Sequence, residues 1–244
     1  MRTGSSRNVA AWARLSSFRS ALVTGGRSGI GAAIVSALER DGVFVRSLDI
    51  ADGFDAADPE AWEAIDRVDL ACLNAGVVTG ERLIARVGDE QYRRIVGVNV
   101  DGVVFGVRRL ARVMHEGSIV VTASLAGLTA MENDPLYALT KHALVGFVRS
   151  AAPQLAERRI RLNMVNPGIV DTPLLGDEGR DTLLEAGFPL LQPENVAAAV
   201  LLAAEDDEVG QAWVVQPGRE PLKFRFPGVP GPRVEGAQGM VPKL

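Results

Sequence analysis

The chain has a single cysteine in 244 residues, Cys72, so it can form no internal disulfide, and its composition suits a reducing, cytoplasmic location. Cys72 lies in the apolar run Leu70 to Leu73, where a small buried hydrophobe is expected rather than a reactive thiol. Histidine is almost as scarce. With only His115 and His142 beside that cysteine, a zinc site of Cys and His ligands cannot be assembled, and no metal is expected. Lysine is rare too: Lys141, Lys223 and Lys243 are 3 of the 26 basic residues, and arginine supplies the rest. Codon bias toward GC accounts for the skew, but it singles out any internal lysine, since an ammonium is a compact point charge that a guanidinium does not replace. No apolar run reaches the ~18 residues of a bilayer span. Aromatics make up 5%, the net charge is -4, and no basic cluster interleaved with aromatics marks a nucleic-acid face. A hydrophobic share of 47% with 23% charged residues is instead the profile of a soluble globular protein, for which small-molecule chemistry is the natural expectation.

This length fits one large α/β domain. Residues 1–19 hold four arginines, several serines and no acidic residue. That composition is shared by organellar transit peptides and by irregular bacterial leaders; we read a leader without catalytic residues. From Ser20 to Gly218, short strand-like runs alternate with amphipathic helical stretches, the pattern of a parallel sheet covered on both faces. Strands are predicted at Ala21–Thr24, Val43–Leu48, Leu70–Asn74, Ser118–Ala123, Arg161–Val165 and Ala212–Val215. Helices are predicted at Gly29–Arg40, Pro59–Arg67, Asp89–Met114, Leu136–Glu157 and Pro193–Ala204. Residues 219–244 are rich in Pro and Gly without periodicity and read as a surface-hugging tail.

Leu22-Val23-Thr24 runs into Gly25-Gly26-Arg27-Ser28-Gly29-Ile30-Gly31 and then into an Ala-rich helix. A strand, a glycine turn and a helix N-terminus together make an anion site, because unpaired N–H groups and the positive end of the helix dipole converge there. Glycines let the backbone approach a pyrophosphate without a Cβ in the way. An ordinary tight loop would look similar, but Asp49 follows the next strand, 18 residues beyond Gly31. That is close to the ~20 residues expected for an acid that binds the adenosine ribose diol and repels a 2′-phosphate. NAD is therefore expected over NADP, with Arg27 lining the pyrophosphate.

The order of the remaining motifs resembles the short-chain dehydrogenase/reductase family from about Ser20 to Gly218. They are Thr24 to Gly31 in the pattern TGxxxGIG, Asn74-Ala75-Gly76, Asn99 in Val98-Asn99-Val100, Ser124, Tyr137-x-x-x-Lys141, and Asn166-Pro167-Gly168 followed by Val170-Asp171-Thr172. The resemblance implies a single-domain, Rossmann-type, doubly wound parallel sheet of six to seven strands. It also implies hydride transfer between a nicotinamide cofactor and a secondary alcohol or its ketone. Tyr137 is then the acid/base. A free phenol titrates near pH ~10, and Lys141, four residues on and so on the same helix face, is expected to lower it and to bind the nicotinamide ribose. Ser124 would hold the substrate oxygen. Asn99 would hold a proton-relaying water, or make a local side-chain to backbone bond that kinks its helix. Asn74, Ala75 and Gly76 would wall the adenosine ribose, and Pro167, Gly168, Ile169 and Thr172 would clamp the nicotinamide amide. His142 points elsewhere on the helix, and no Ser-His-Asp triad is indicated.

Two departures stand out. Only four residues separate Asp49 from Phe54, fewer than the dozen or so of a helical crossover. The helix between the second and third strands is therefore expected to be missing, Phe54-Asp55 to be a vestigial edge strand, and Asp55 to correspond to the family's adenine-contacting Asp. Gln216-Pro217-Gly218 also stands where relatives carry Asp-Gly-Gly, so the tail is not expected to seal a tetramer interface in the usual way. The ending Gly210 to Gly218 and Ile169 to Leu175 loosely resemble the 15-hydroxyprostaglandin dehydrogenase-like branch, which points toward a lipophilic alcohol. Leu174, Leu175, Leu183, Leu184, Phe188, Leu190 and Leu191 form either an apolar lid or part of the core. A homodimer or homotetramer is expected from pairing of the long helices. Two alternatives stay open: an NADP-linked reductase of the same fold, and a non-catalytic NAD-binding sensor.

Overall fold

Strand β1 (Ser20–Thr24) lies next to one edge of the sheet, and the chain turns both ways from it. Its neighbours are β2 (Phe44–Leu48) on one side and β3 (Leu70–Leu73) on the other. The sheet then continues through β4 (Gly117–Thr122), β5 (Ile160–Pro167) and β6 (Ala212–Val215), all parallel, to a short antiparallel β7 (Leu222–Lys223), in the order β2-β1-β3-β4-β5-β6-β7. The reversal of direction between β1 and β3 opens a crevice beyond their carboxyl ends, the usual ligand position in doubly wound sheets. This computed structural model describes residues 18–232, 234 and 236. The expected leader lies outside the described residues except for Phe18 and Arg19, and Phe18 already packs into the core. No helix among the described residues is long and apolar enough to cross a membrane.

Both faces of the sheet are covered, so its central strands are largely apolar, with Ser118, Thr122, Asn163 and Asn166 as buried polar exceptions. In β3, Leu70 and Cys72 face helices α1 (Gly29–Arg40) and α6 (Pro193–Glu205), while Ala71 and Leu73 face the opposite layer. Burial pushes the Cys72 thiol up to about 12, which keeps it an inert hydrophobe.

The crossover from β2 to β3 contains no α-helix, only two 3₁₀ turns, Ile50–Asp52 and Ala61–Ala64. The helix expected over Pro59–Arg67 is reduced to the second of these, and the edge strand expected at Phe54-Asp55 does not form. Trp62 explains both differences. Its indole is fully buried, donates from Nε1 to the Ala56 carbonyl at 2.9 Å, and meets the Phe54 ring edge-on at 5.1 Å. One aromatic pair thus fills space that a crossover helix would cover, and Phe54 packs inward instead of pairing in a ladder. Arg109 holds the segment from outside, with Nε donating to the Ile65 carbonyl at 2.8 Å and Nη1 paired with Glu63 at 2.9 Å.

The helix expected over Asp89–Met114 is three pieces: α2 (Asp89–Val96), a π-helical turn Gly97–Asp101, and α3 (Gly102–Val113). Asn99 sits in the wide turn, and its side chain bonds to the backbone of Val77 in the loop after β3 rather than to its own helix. Downstream come α4 (Pro135–Ala156) and α5 (Asp177–Glu185). The described start of the tail is more ordered than its composition implies. β7 pairs with β6, Phe224 and Phe226 stack edge-on at 5.0 Å, and the Arg149 guanidinium of α4 lies 3.8 Å from the Phe226 ring centre.

Candidate active site

The glycine turn after β1 is shaped by contacts that only glycine allows. Gly25 has a φ of +65°, and a methyl group on it would stand 3.0 Å from the Ala75 backbone. A methyl on Gly31 would collide with the Gly25 carbonyl, and one on Gly26 with the Ser47 hydroxyl. Ser28 precedes α1 without capping it through its side chain, and the first turn carries no acidic residue. Among the described residues, the opening N–H groups of that helix, at Gly29, Ile30 and Gly31, have no intrahelical or side-chain partner and present a positive end to the crevice. Across the crevice, the Thr172 methyl comes so close that a Cβ on Gly29 would lie 3.0 Å from it. This uncapped, Cβ-free cradle fits the pyrophosphate of a dinucleotide.

Asp49 stands at the end of β2, where Oδ2 accepts from the Arg27 N–H at 3.1 Å and Oδ1 from the Ala51 N–H at 3.1 Å. Both oxygens keep further acceptor capacity. The Arg27 guanidinium pairs with Asp52 at 3.0 Å. Asp55 is exposed and closes an Asx turn onto the Ala57 N–H at 2.9 Å, a local role on the helix-free crossover. Asn74 and Ala75 donate their N–H groups to Thr24 Oγ1 at 2.9 and 3.0 Å, which locks the loop after β3 to the end of β1.

Gly76 marks where Asn99 and Lys141 come together: a methyl there would lie 3.4 Å from Asn99 Oδ1 and 3.6 Å from Lys141 Nζ. Asn99 is fully buried. Its Oδ1 accepts from the Val77 N–H at 2.8 Å, and Nδ2 donates to the Val77 carbonyl at 2.9 Å and to Thr140 Oγ1 at 3.1 Å. Lys141 is 4% exposed and donates to the Thr122 carbonyl at 3.0 Å, with Nζ 5.4 Å from the Tyr137 ring centre. Burial lowers it to about 8.

Tyr137 behaves differently from the expectation that Lys141 depresses its pKa. Its phenol is raised above the ordinary range by burial, with the Ser124 hydroxyl opposing and the Asp134 carboxylate adding to the rise. The lysine's own charge is disfavoured by the same burial, and its nitrogen is turned toward Thr122. Ser124 begins a 3₁₀ turn after β4, where its hydroxyl accepts from the Ala126 N–H at 3.1 Å. Its carbonyl accepts from Asn166 Nδ2 at 2.9 Å. His142 is turned back on its own helix, with Nδ1 2.9 Å from the Ala138 carbonyl.

Pro167 ends β5. Gly168 donates its N–H to the Val215 carbonyl at 2.9 Å, and the Ile169 carbonyl accepts from the Leu191 N–H at 2.9 Å. Leu191 is thereby part of the core, whereas Leu174, Leu184 and Phe188 are exposed around α5, a helix with no buried residue. Arg180 on that helix makes a two-point ion pair with Asp171, at 2.7 and 3.1 Å.

Three residues not anticipated from the sequence complete the cluster. Asp134 caps α4, Thr79 binds Asp134, and Thr140 donates to the Tyr137 carbonyl at 2.8 Å while accepting from Asn99. Asp134-Pro135, a capping residue followed by proline at the first helical position, was the available signal for the first of these.

A family model described as Enoyl-(Acyl carrier protein) reductase matches residues 54–218. With the fold and site above, the chain belongs to the short-chain dehydrogenase/reductase family of oxidoreductases. Among individual proteins it is 32% identical to momilactone A synthase of Oryza sativa subsp. japonica, over 85% of this chain and 90% of that one. It is 30% identical to cyclohexanol dehydrogenase of Acinetobacter sp., over 80% of this chain and 92% of the relative. In structure it is similar to a 3-ketoacyl-(acyl-carrier-protein) reductase from Brucella melitensis complexed with NADH, at 26% identity and a TM-score of 0.75 over 82% of this chain and 98% of that one.

Proposed function

We propose that the protein interconverts a lipophilic secondary alcohol and its ketone with NAD(H), in the cytoplasm and as a homodimer or homotetramer. The observation that carries this reading is the convergence of Ser124, Tyr137, Lys141 and Asn99 beside the crevice that opens at the glycine turn.

Gly25 to Gly31 would hold the pyrophosphate, and Asp49 the adenosine ribose diol, against which a 2′-phosphate would be repelled. Asn74, Ala75 and Gly76 would flank that ribose, Lys141 would bond the second ribose, and Pro167 to Thr172 would hold the carboxamide. When bound, the nicotinamide accepts or supplies the hydride. The chain's own work is proton transfer and orientation. Ser124 donates a hydrogen bond to the substrate oxygen and holds it near Tyr137. In reduction the phenol gives its proton to the forming alkoxide; in oxidation the phenolate takes the hydroxyl proton. Lys141 Nζ lies 5.4 Å from the Tyr137 ring centre and, as an ammonium, would oppose the rise that burial imposes on the phenol, and Asn99 keeps the Val77 loop in place beside it. Two features support an apolar substrate: the exposed Leu174, Leu184 and Phe188 around α5, and the similarity to a cyclohexanol dehydrogenase.

The test is nicotinamide reduction, followed by absorbance, with NAD and with NADP across a panel of secondary alcohols. Turnover faster with NAD on an apolar alcohol is the expected result. NADH binding without turnover on any alcohol or ketone would overturn the reading.

A further inference from the structure

Asp134 has no part in the chemistry described so far, yet its carboxylate is 6% exposed and takes three hydrogen bonds. Oδ1 accepts from the Tyr137 N–H at 2.9 Å and from the Thr79 hydroxyl at 2.6 Å, and Oδ2 accepts from the Thr79 N–H at 2.8 Å. The first turn of α4 is thus fastened to the loop that follows β3. That loop is also held two residues earlier, where Asn99 clasps both the N–H and the carbonyl of Val77. Thr140 closes the ring by joining Asn99 to the Tyr137 carbonyl.

A neutral serine or asparagine would suffice to cap a helix. Burying a full negative charge is costly unless the charge is well bonded, and here it stands one turn before Tyr137. Lys141 stands one turn after it, so charges of opposite sign bracket the phenol along one helix face. We propose that Asp134 is a positioning residue for Tyr137, fastening the helix start to Thr79 and placing a fixed negative charge beside the acid/base.

The groups facing the phenol are Asp134 and Lys141 from α4 and the Ser124 hydroxyl from the turn after β4. Asp134 favours the protonated phenol, the form that donates in reduction, and Lys141 favours the phenolate, the form that accepts in oxidation. This inference rests on Tyr137 being the acid/base, but its test does not depend on turnover alone.

Tyr92 and Tyr137 are the two tyrosines of the chain. In a Tyr92→Phe background, Tyr137 is therefore the single phenol in an ultraviolet titration of tyrosinate absorbance. Adding Asp134→Asn should move that titration to lower pH and move the rising limb of the kcat profile for alcohol oxidation in the same direction. Thr79→Val keeps the charge and loosens the tie, so kcat should fall roughly tenfold with little change in KM and no downward shift of the titration. If Asp134→Asn leaves both the titration and the kcat profile unmoved, the proposal is overturned. If Asp134→Asn does not fold, Thr79→Val decides: unchanged kcat overturns the proposal and a kcat-specific loss supports it. Failure of the acid/base reading is distinct, because it would appear as full turnover by Tyr137→Phe whatever the titration shows.

Discussion

Trp62 and Gly106 are matched to each other: a methyl group on Gly106 would lie 2.7 Å from Cη2 and 3.0 Å from Cζ3 of the indole. Gly102, one turn earlier on α3, leaves similar room for Ala56. Two glycines in a helix interior lower its intrinsic stability, and here they let a helix-free crossover lie directly on α3. Gly106→Ala should destabilise the fold by about 1–3 kcal/mol through overpacking. Trp62→Ala should cost about 3–5 kcal/mol through the cavity it leaves. Equilibrium unfolding in urea measures both. Combining Gly106→Ala with Trp62→Phe should recover part of the first loss, and additive losses would show that the two sites are not coupled.

Tyr137→Phe removes the proposed acid/base while leaving the ring in place. The expected loss is about 10²–10⁴-fold in kcat, with NADH affinity, measured by fluorescence, changed little. Full turnover by this variant would show the mechanism to be wrong.

Lys141 links function to stability. Burial lowers it from an ordinary 10.5 to about 8, so between those pH values the folded chain binds fewer protons than the unfolded one. Stability should therefore rise with pH across that window, and the burial penalty is fully present below about pH 8. Lys141→Met should raise the melting temperature of the cofactor-free protein at neutral pH, by about 2–4 °C per kcal/mol relieved, while abolishing turnover. The gain should shrink toward pH 10.5. A lower melting temperature at neutral pH would contradict this account.

In the proposed function, Asp49 sets the choice of cofactor. Its oxygens are oriented by the Arg27 and Ala51 N–H groups. Asp49→Ala should weaken NAD binding by roughly tenfold or more, the scale of at least one hydrogen bond to a charged acceptor, and should improve NADP binding by removing repulsion. Titration calorimetry with both cofactors reads the two effects separately, and an unchanged ratio of affinities would remove Asp49 from this role.

The residues of the candidate site were easier to pick out in the sequence than the details of the fold. Gly25 to Gly31 and the pair Tyr137 and Lys141 form short local patterns that can be read directly along the chain. Asp134 and Thr79 come together from 55 residues apart, a pairing that no periodicity reveals. Likewise, Phe54 read as strand because its partner Trp62 was invisible, and the wide turn at Asn99 was hidden because the residues around it keep a helical pattern. The two-residue β7 lies between Pro221 and Phe224, too short to register as a run.

The ends of the sheet are unequal. Beyond β6 the tail folds back as a strand too short to template further pairing, and its phenylalanines are packed onto the protein. Beyond β2, where the shortened crossover places no helix of its own, Phe44 is 75% exposed and a row of backbone groups faces outward. Arg46 in the middle of that strand is its one charged guard. Among the described residues, accretion of a foreign strand therefore has a single favoured direction, and a charge placed at Phe44 is where resistance to aggregation would be gained.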